Sequence, residues 1–365
     1  MVLEIQRGCI RGCRFCQAGQ LYRPVREKNI ETLKKEAIEL IEYTGEEEIS
    51  LSSLSSSDYE KLPELVDFLI RECKDRKVNI SLPSLRIDAF SLDVMSKVQD
   101  IKKSSLTFAP EAGSQRLRNI INKGLTEEVI LNGARLAFEG GWTRVKLYFM
   151  LGQPFENDED IEGIGKLSNE IARVFFETVP KEKRVNGKVQ IVSSTSFFVP
   201  KPFTAFQWAR MCTKEEFLDK AYKTRVGIAS QLNQKSIKYN WHEADVTILE
   251  GIFARGDRKL SKAILAAYKK GCIFDAWSEY FNYDTWIETF KECGIDIDFY
   301  TTRERADDEL FPWDFLDCGV TKEFLLREWH KAREGVVSPN CKVQCQGCGA
   351  AKFGGGVCFE AKNKV

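Results

Sequence analysis

The sequence predicts an α/β fold: a partial (β/α)6 barrel over residues 1–210, a helical extension over 211–335 and a cysteine-rich tail over 336–365. Three observations carry that expectation. Strand-like and helix-like segments alternate from the start to about residue 200, the pattern of a parallel sheet with crossover helices. Beyond Pro200-Lys201-Pro202 the texture changes to aromatic and charged residues at helical spacing. From about Val336 periodicity gives way to glycine and cysteine, a composition that needs metal to hold one conformation.

The elements follow in order. Val2 to Gln6 reads as a first strand, and Ile30 to Tyr43 carries Leu33, Ala37, Leu40 and Ile41 at helical spacing before Gly45 stops it. Next come a strand at Glu48 to Leu54, a helix at Leu62 to Arg76 and a strand at Val78 to Leu82. The strand Ser105 to Phe108 enters Ala109-Pro110-Glu111-Ala112-Gly113-Ser114. Thr126 caps a helix that Gly140-Gly141 ends, and Arg144 to Leu151 and Lys188 to Val199 are further strands. About six strand–helix units result, too few to close an eight-stranded barrel.

Composition narrows the function. The 54 Lys and Arg balance the 54 Asp and Glu, which leaves no global electrostatic footprint for nucleic acid or anionic lipid. A hydrophobic content of 43% predicts a folded chain, and no apolar run approaches the roughly 18 residues of a membrane-spanning helix. Met1-Val2-Leu3-Glu4-Ile5 has neither a basic stretch nor a long apolar one, so the expectation is no signal peptide, a cytoplasmic location and no disulfides. Yet there are 12 cysteines, three within the first sixteen residues and four within the last twenty-five, against two histidines. That imbalance points to thiolate-bound metal.

Cys9, Cys13 and Cys16 form a C-x3-C-x2-C loop directly after the first predicted strand. Three thiolates on one short loop suit three irons of a cubane and leave the fourth open to a heteroatom ligand. Gly8 and Gly12 let the backbone bend around such a cluster, and Arg7, Arg11 and Arg14 are expected to offset its negative charge. Half of a structural zinc knuckle is the competing reading.

The loop, with Phe15 before its third cysteine and six strand–helix units after it, resembles the radical S-adenosylmethionine (radical SAM) superfamily. Thr107-Phe108-Ala109-Pro110-Glu111-Ala112-Gly113-Ser114, Val199-Pro200-Lys201-Pro202, Phe206-Gln207-Trp208, Ala254-Arg255-Gly256-Asp257-Arg258 and Lys322-Glu323-Phe324-Leu325 are similar to an uncharacterised branch associated with cobalamin-binding domains and related to methylthiotransferases. The resemblance implies a 4Fe-4S cluster on Cys9, Cys13 and Cys16 whose open iron is chelated by S-adenosylmethionine. One-electron reduction then yields a 5′-deoxyadenosyl radical that abstracts hydrogen. It also implies a reductant such as flavodoxin or ferredoxin, and an RNA- or ribosome-linked modification as the reaction. Two departures stand out. Only eight residues precede Cys9, so the chain itself gives cobalamin no support: it is unused, arrives on a separate polypeptide, or the chain is a fragment. Gly152-Gln153-Pro154-Phe155-Glu156 replaces the usual Gly-Leu-Pro-Thr-Glu, and Phe203 and Ala205 stand where His and Pro are common.

For S-adenosylmethionine, the resemblance implies Ser55 at the methionine amine, Lys123 at its carboxylate and Glu111 at the ribose hydroxyls. Arg86 pairs with the carboxylate or orients Glu111, and Gly152 and Val199 border the adenine. The corresponding structural readings are an ordinary turn for the serine-rich loop, a surface salt bridge for Arg86 and a solvated helix-end lysine for Lys123. In the tail, Cys341, Cys345 and Cys348 repeat the C-x3-C-x2-C spacing and Cys358 follows ten residues later, which suits a second iron–sulfur cluster, a structural zinc or no metal. Cys73, Cys212, Cys272, Cys293 and Cys318 read as packing residues. Arg255-Gly256-Asp257 spells an adhesion tripeptide that a cytoplasmic chain has no use for, and Trp208, Trp277, Trp286, Trp313 and Trp329 read as core before they read as base-stacking groups. A radical SAM enzyme is therefore expected. The alternative is a non-catalytic iron–sulfur or zinc protein serving electron transfer or RNA binding.

Overall fold

A computed structural model describes residues 1–82, 106–184, 188–356 and 358. The chain opens with β1 (Val2–Glu4), whose Leu3 is buried, and β2 (Gln6–Arg7), which pairs antiparallel with β3 (Arg26–Glu27). The expected first strand thus breaks at Ile5, because Gln6 leaves the parallel sheet to form this short ladder. Between β2 and β3 lie the cysteine loop and the short helix α1 (Gln17–Leu21). Helix α2 (Ile30–Thr44) is capped by the Asn29 side chain and closed by Gly45 at φ 68°, a left-handed end that glycine adopts without strain.

Strands β4 (Glu48–Ser52) and β5 (Asn79–Ser81), with helix α3 (Leu62–Lys74) between them, complete a three-stranded parallel sheet in the order β1-β4-β5. Leu33 and Ala37 of α2 and Leu65 and Leu69 of α3 pack on Leu3, Ile49 and Leu51 as one core. The second sheet, also parallel, runs β6 (Leu106–Glu111), β7 (Arg144–Leu151), β8 (Gln190–Phe197) and β9 (Ile237–Trp241). It carries α4 (Gln115–Ile120), α5 (Glu127–Glu139) and the long α6 (Asp158–Thr178). Val145, Leu147, Phe149 and Leu151 alternate along β7 into the larger core, and Thr126 caps α5 as expected.

The extension differs from its all-helical expectation. Helices α7 (Lys214–Ala229), α8 (Ala244–Arg255), α9 (Leu260–Lys269), α10 (Tyr283–Glu292) and α11 (Ile297–Tyr300) are present, but β9 joins the barrel sheet, with Ile237 opposite Ile191 and Trp241 opposite Thr195. Phe217, Ala221, Ile248 and Ile252 share the core of β7 and β8. A third core joins α12 (Lys322–Arg333) to the strand ends through Trp329, Phe206, Trp208 and Phe198, and takes in Cys348 of the tail. Trp208, Trp286, Trp313 and Trp329 are buried, whereas Trp277 is 55% exposed. No helix among the described residues is long and apolar enough to cross a membrane.

Candidate active site

In parallel α/β folds, functional groups collect where strands end. Here the C-terminal ends of β1, β4, β6, β7 and β8 lead to the cysteine loop, Ser55, Glu111, Gly152 and Val199 respectively. The loop, residues 8–16, is drawn tight by two glycines. Gly8 has φ 90°, and a Cβ there would collide with the Tyr22 carbonyl oxygen. A Cβ on Gly12 would come within 2.6 Å of Asn122 Nδ2, which instead donates to the Gly12 carbonyl at 3.0 Å. The Arg14 amide donates to the Ile121 carbonyl at 3.0 Å, so the loop is fastened to the end of α4 at two points.

All three thiols are free, and their charges are felt by one another. Burial first, and the neighbouring Cys13, Asp58 and Cys16 next, push the Cys9 thiol up to about 12. Burial and Cys13 also raise Cys16, eased by the Gly19 amide that donates to its Sγ at 3.3 Å and by the ammonium of Lys123. Two buried thiols, Cys9 and Cys16, that resist ionisation on one loop make a site that a cationic centre completes, because metal binding takes the thiolate. Among the described residues no group of three or more His, Cys, Asp or Glu has the spacing of ligands around a single ion. A cubane takes one thiolate per iron, so its donors are spread more widely.

The cationic and anionic partners expected around the loop are here, in a different arrangement. Lys123 Nζ pairs with Glu111 Oε1 at 3.1 Å, and both reach Cys16 electrostatically. Glu111 sits at φ 67°, a conformation that costs a non-glycine residue about 1 kcal/mol or more and is kept where surroundings fix it. Ser55 is 1% exposed, donates its hydroxyl to Asp58 Oδ2 at 2.7 Å, and so leaves its oxygen lone pairs as acceptors. Gly152 has φ 80° and a Cβ there would meet Phe217 Cε1 at 2.6 Å, so this turn needs glycine. Its amide donates to Glu156 Oε2 at 2.8 Å. Val199 is 7% exposed in the larger core. Arg86 lies outside the described residues.

The arginines of the loop are a correction. Arg7 pairs with Glu4 at 2.6 Å, Arg11 with Asp58, and fully buried Arg14 with Glu328 at 3.0 Å. Each is tied to a carboxylate; Arg11, and Arg14 with further bonds to the Ile120 and Val336 carbonyls, anchor the loop, whereas the Arg7–Glu4 pair lies exposed ahead of it. Four other residues belong to the site without having been assigned a role from the sequence. Asp58 joins Arg11 to Ser55, and Asn122 clasps Gly12. Gln153 donates to the Glu111 and Met150 carbonyls and leaves its buried Oε1 without a partner. Arg23 donates to the Arg11 and Gly19 carbonyls. Of these four only Gln153 carried a hint, as one of the two residues, with Phe155, that depart from Gly-Leu-Pro-Thr-Glu.

The tail lies against the outside of the loop. The Cys341 amide donates to the Ile10 carbonyl at 3.0 Å, the Ser338 amide to Asn122 Oδ1 at 2.9 Å, and Lys342 bonds Glu60 at 3.1 Å and the Asp58 carbonyl at 3.2 Å. Burial, then Cys341, Cys348 and Cys345, raise the Cys358 thiol, while Arg23 lowers it, so all four tail thiols share one neighbourhood beside that arginine. Cys348 is buried and Cys345 exposed.

The donor set fits an iron–sulfur cluster with S-adenosylmethionine. Three soft thiolates are held on one loop, and the orphaned Gln153 Oε1 sits beside Glu111, where a hydroxyl or amine donor would satisfy it. Residues 3–167 match the Radical SAM superfamily model, a span that includes every one of these groups except Val199 and the tail. An uncharacterized protein of Methanocaldococcus jannaschii is 35% identical over 294 residues, 80% of this chain and 60% of that protein. A second protein of the same organism, provisionally named a methylthiotransferase, is 24% identical over 167 residues, 43% of this chain and 36% of that one. The chain thus spans less than two thirds of either relative's length. Among solved structures, the radical S-adenosylmethionine methyltransferase TsrM from Kitasatospora setae, with cobalamin and a 4Fe-4S cluster bound, aligns over 80% of this chain and 60% of its own at 11% identity and a TM-score of 0.46.

Proposed function

Because residues 3–167 match the Radical SAM superfamily model, we propose that the chain is an enzyme that cleaves S-adenosylmethionine reductively on a 4Fe-4S cluster held by Cys9, Cys13 and Cys16. When bound, the cluster and S-adenosylmethionine supply a 5′-deoxyadenosyl radical for hydrogen abstraction. The remaining work falls to the side chains. Gly8 and Gly12 let the loop close, and Asn122 and Arg14 lock it against α4 and α12. Ser55, its proton committed to Asp58, accepts from the methionine amine. Glu111 receives the ribose hydroxyls on its carboxylate, and Lys123, paired with that carboxylate, turns toward the methionine carboxylate. Gly152 and Val199 border the adenine, and Gln153 Oε1 accepts a donor from the ligand.

The single observation that carries this reading is the meeting of Lys123 and Glu111 beside Cys16, a charged pair that a merely structural thiolate knuckle has no use for. The reading extends to a reductant such as flavodoxin or ferredoxin, to a separate cobalamin- or RNA-binding polypeptide, and to RNA- or ribosome-linked modification as the outcome. The four tail thiols hold a second iron–sulfur cluster or a zinc, and residues 1–210 together with β9 serve as core, the rest of 211–335 as substrate-side cap and 336–365 as metal-bound tail. The test is anaerobic reconstitution with iron and sulfide, then dithionite and S-adenosylmethionine, with chromatography for 5′-deoxyadenosine beside Cys13→Ala. Product from the wild type alone supports the proposal; bound iron with no product from either protein overturns it in favour of a non-catalytic cluster.

A further inference from the structure

The phrase Ala254-Arg255-Gly256-Asp257-Arg258 has no use in S-adenosylmethionine cleavage, yet it ends α8 at the mouth of an open cleft of about 830 Å3. Arg255 lines that cleft with no exposed surface, and no carboxylate of the described residues is bonded to it. Its two Nη groups donate to the Thr301 and Gln207 carbonyls at 3.1 and 3.3 Å, and its Nε has no partner. Arg305, 4% exposed, lies in the same wall, with its guanidinium carbon 5.4 Å from the ring centres of Phe311 and Trp313; its Nε stands 3.8 Å from Glu309 Oε1, and neither Nε nor Nη1 makes a hydrogen bond among the described residues. Arg258 and Lys259 add two exposed cations at the rim.

The acids that border the cleft are already engaged. Glu309 takes both Nη groups of Arg303 at 2.7 and 2.8 Å, and Asp257 Oδ1 accepts from the Tyr300 hydroxyl at 3.0 Å and the Lys259 amide at 2.8 Å. Burial first, then the charges of Arg305 and Arg303, push Arg255 down to about 9; burial pushes Arg305 to about 10. Leaving buried donors of a cation without hydrogen bonds is costly, and one carboxylate, Glu309, is shared among Arg303, Arg305 and the field at Arg255, so a ligand that brings further acceptors and negative charge lowers the cost. Two converging guanidiniums suit a phosphoryl group, which offers several acceptor oxygens and more than one charge, better than they suit a single carboxylate. The rest of the lining is apolar: Phe315 is 79% exposed and Leu310 85% exposed, a face on which a base can lie.

We propose that this cleft binds a nucleotide, its phosphoryl group between Arg255 and Arg305 and its base against Phe315. The site is one loop away from the cysteines: Gln207, which holds Arg255, also accepts from the Phe203 amide, and Gln17, next to Cys16, donates to the Pro202 carbonyl. The nucleotide is either free or one unit of a single strand, and the test separates the two. The full chain is titrated calorimetrically with uridine, uridine 5′-monophosphate and a uridine tetranucleotide, pyrimidine probes being chosen to avoid a site suited to S-adenosylmethionine. The monophosphate or the tetranucleotide is expected to bind at least about tenfold more tightly than uridine, and Arg305→Ala to weaken that binding by about tenfold or more. Arg258→Glu with Lys259→Glu, both surface changes, gives a second reading in a protein that keeps its fold and is expected to weaken binding similarly. A tetranucleotide about tenfold tighter than the monophosphate assigns the cleft to a strand, and equal affinities assign it to a free nucleotide. Phosphorylated probes that bind no better than uridine, or affinities unmoved by both sets of variants, overturn the proposal.

Discussion

The two ends of the chain carry the same C-x3-C-x2-C spacing and surround it with different neighbours. The first set lies in a loop clasped by side chains of the barrel, with Ser55, Glu111, Lys123 and Gln153 presenting donors and acceptors around it. The second lies in a tail that rests on the first, with a fourth cysteine, an exposed Cys345 and Arg23 as its nearby charge. Spacing sets the donor atoms. The groups around them set the chemistry, since an open iron is of use only where polar groups can hold what binds it, and a fourth thiolate closes the site.

The sharpest way to break this contrast is to remove one cysteine from each set. Cys13→Ala should abolish 5′-deoxyadenosine formation, a loss of about a thousandfold or more, because the cluster loses one of only three protein ligands. Cys345→Ser, at an exposed position, should leave the initial rate within about tenfold while lowering the metal bound per chain, as measured by elemental analysis. Equal losses of product from both variants would show that the two sets act as one.

The next effect is on stability. Arg14 and Glu328 form a buried pair that joins the loop to α12, and removing one partner strands the other charge, so Glu328→Gln should cost about 3 kcal/mol in denaturant unfolding. Burial raises the Glu328 carboxyl, but Lys331, Arg14 and Ser338 together outweigh it and hold the group below its ordinary value of 4.5. A depressed carboxylate contributes its stability above the unfolded value and loses it as pH falls through the folded one. The gap between wild type and Glu328→Gln should therefore be full at pH 7 and narrow below pH 4.5. A gap that widens in acid would contradict the pairing.

Much of this contrast was legible in the sequence, and the reason is local. The bounds of β7, the Gly45 stop and the Thr126 cap are read from neighbours within one turn or one strand, and the cysteine spacings are likewise short-range. What escaped has long reach. Arg14 finds Glu328 across 314 positions and Arg11 finds Asp58 across 47, so no periodicity could assign those arginines to carboxylates instead of to a cluster. Strand β9 was hidden for a different reason. Its five residues lie at the sheet edge, and although Ile237-Lys238-Tyr239-Asn240-Trp241 alternates apolar and polar residues as a strand does, the run is short and lies between two long helical segments whose period dominates the region.

A smaller effect sharpens the comparison within the open site itself. Glu111→Gln keeps the shape and removes the charge that Lys123 answers, so the affinity for S-adenosylmethionine should fall by about tenfold, with iron content unchanged. Lys123→Gln should fall by a similar factor, and the double variant by less than the product of the two, because the residues share one interaction. Independent, multiplying losses would mean that the 3.1 Å pair does not persist when the ligand is bound.

The smallest change tests the joint between the two regions. Asn122 donates through Nδ2 to the Gly12 carbonyl at 3.0 Å and accepts through Oδ1 from the Ser338 amide at 2.9 Å, so one side chain touches the cysteine loop and the tail at once. It also sits at φ 53°, which asparagine tolerates better than alanine does. Asn122→Ala should cost about 2 kcal/mol, from two hydrogen bonds and the backbone strain together. Asn122→Gly relieves the strain and should cost about 1 kcal/mol. Amide exchange decides what the joint does. If the tail depends on the loop, both variants speed exchange at Ser338 and Cys341 and leave β7 protected; if it is held by its own contacts, such as Lys342 on Glu60 and Thr321 on Cys348, exchange there stays slow and the tail is an independent unit that merely lies beside the first site.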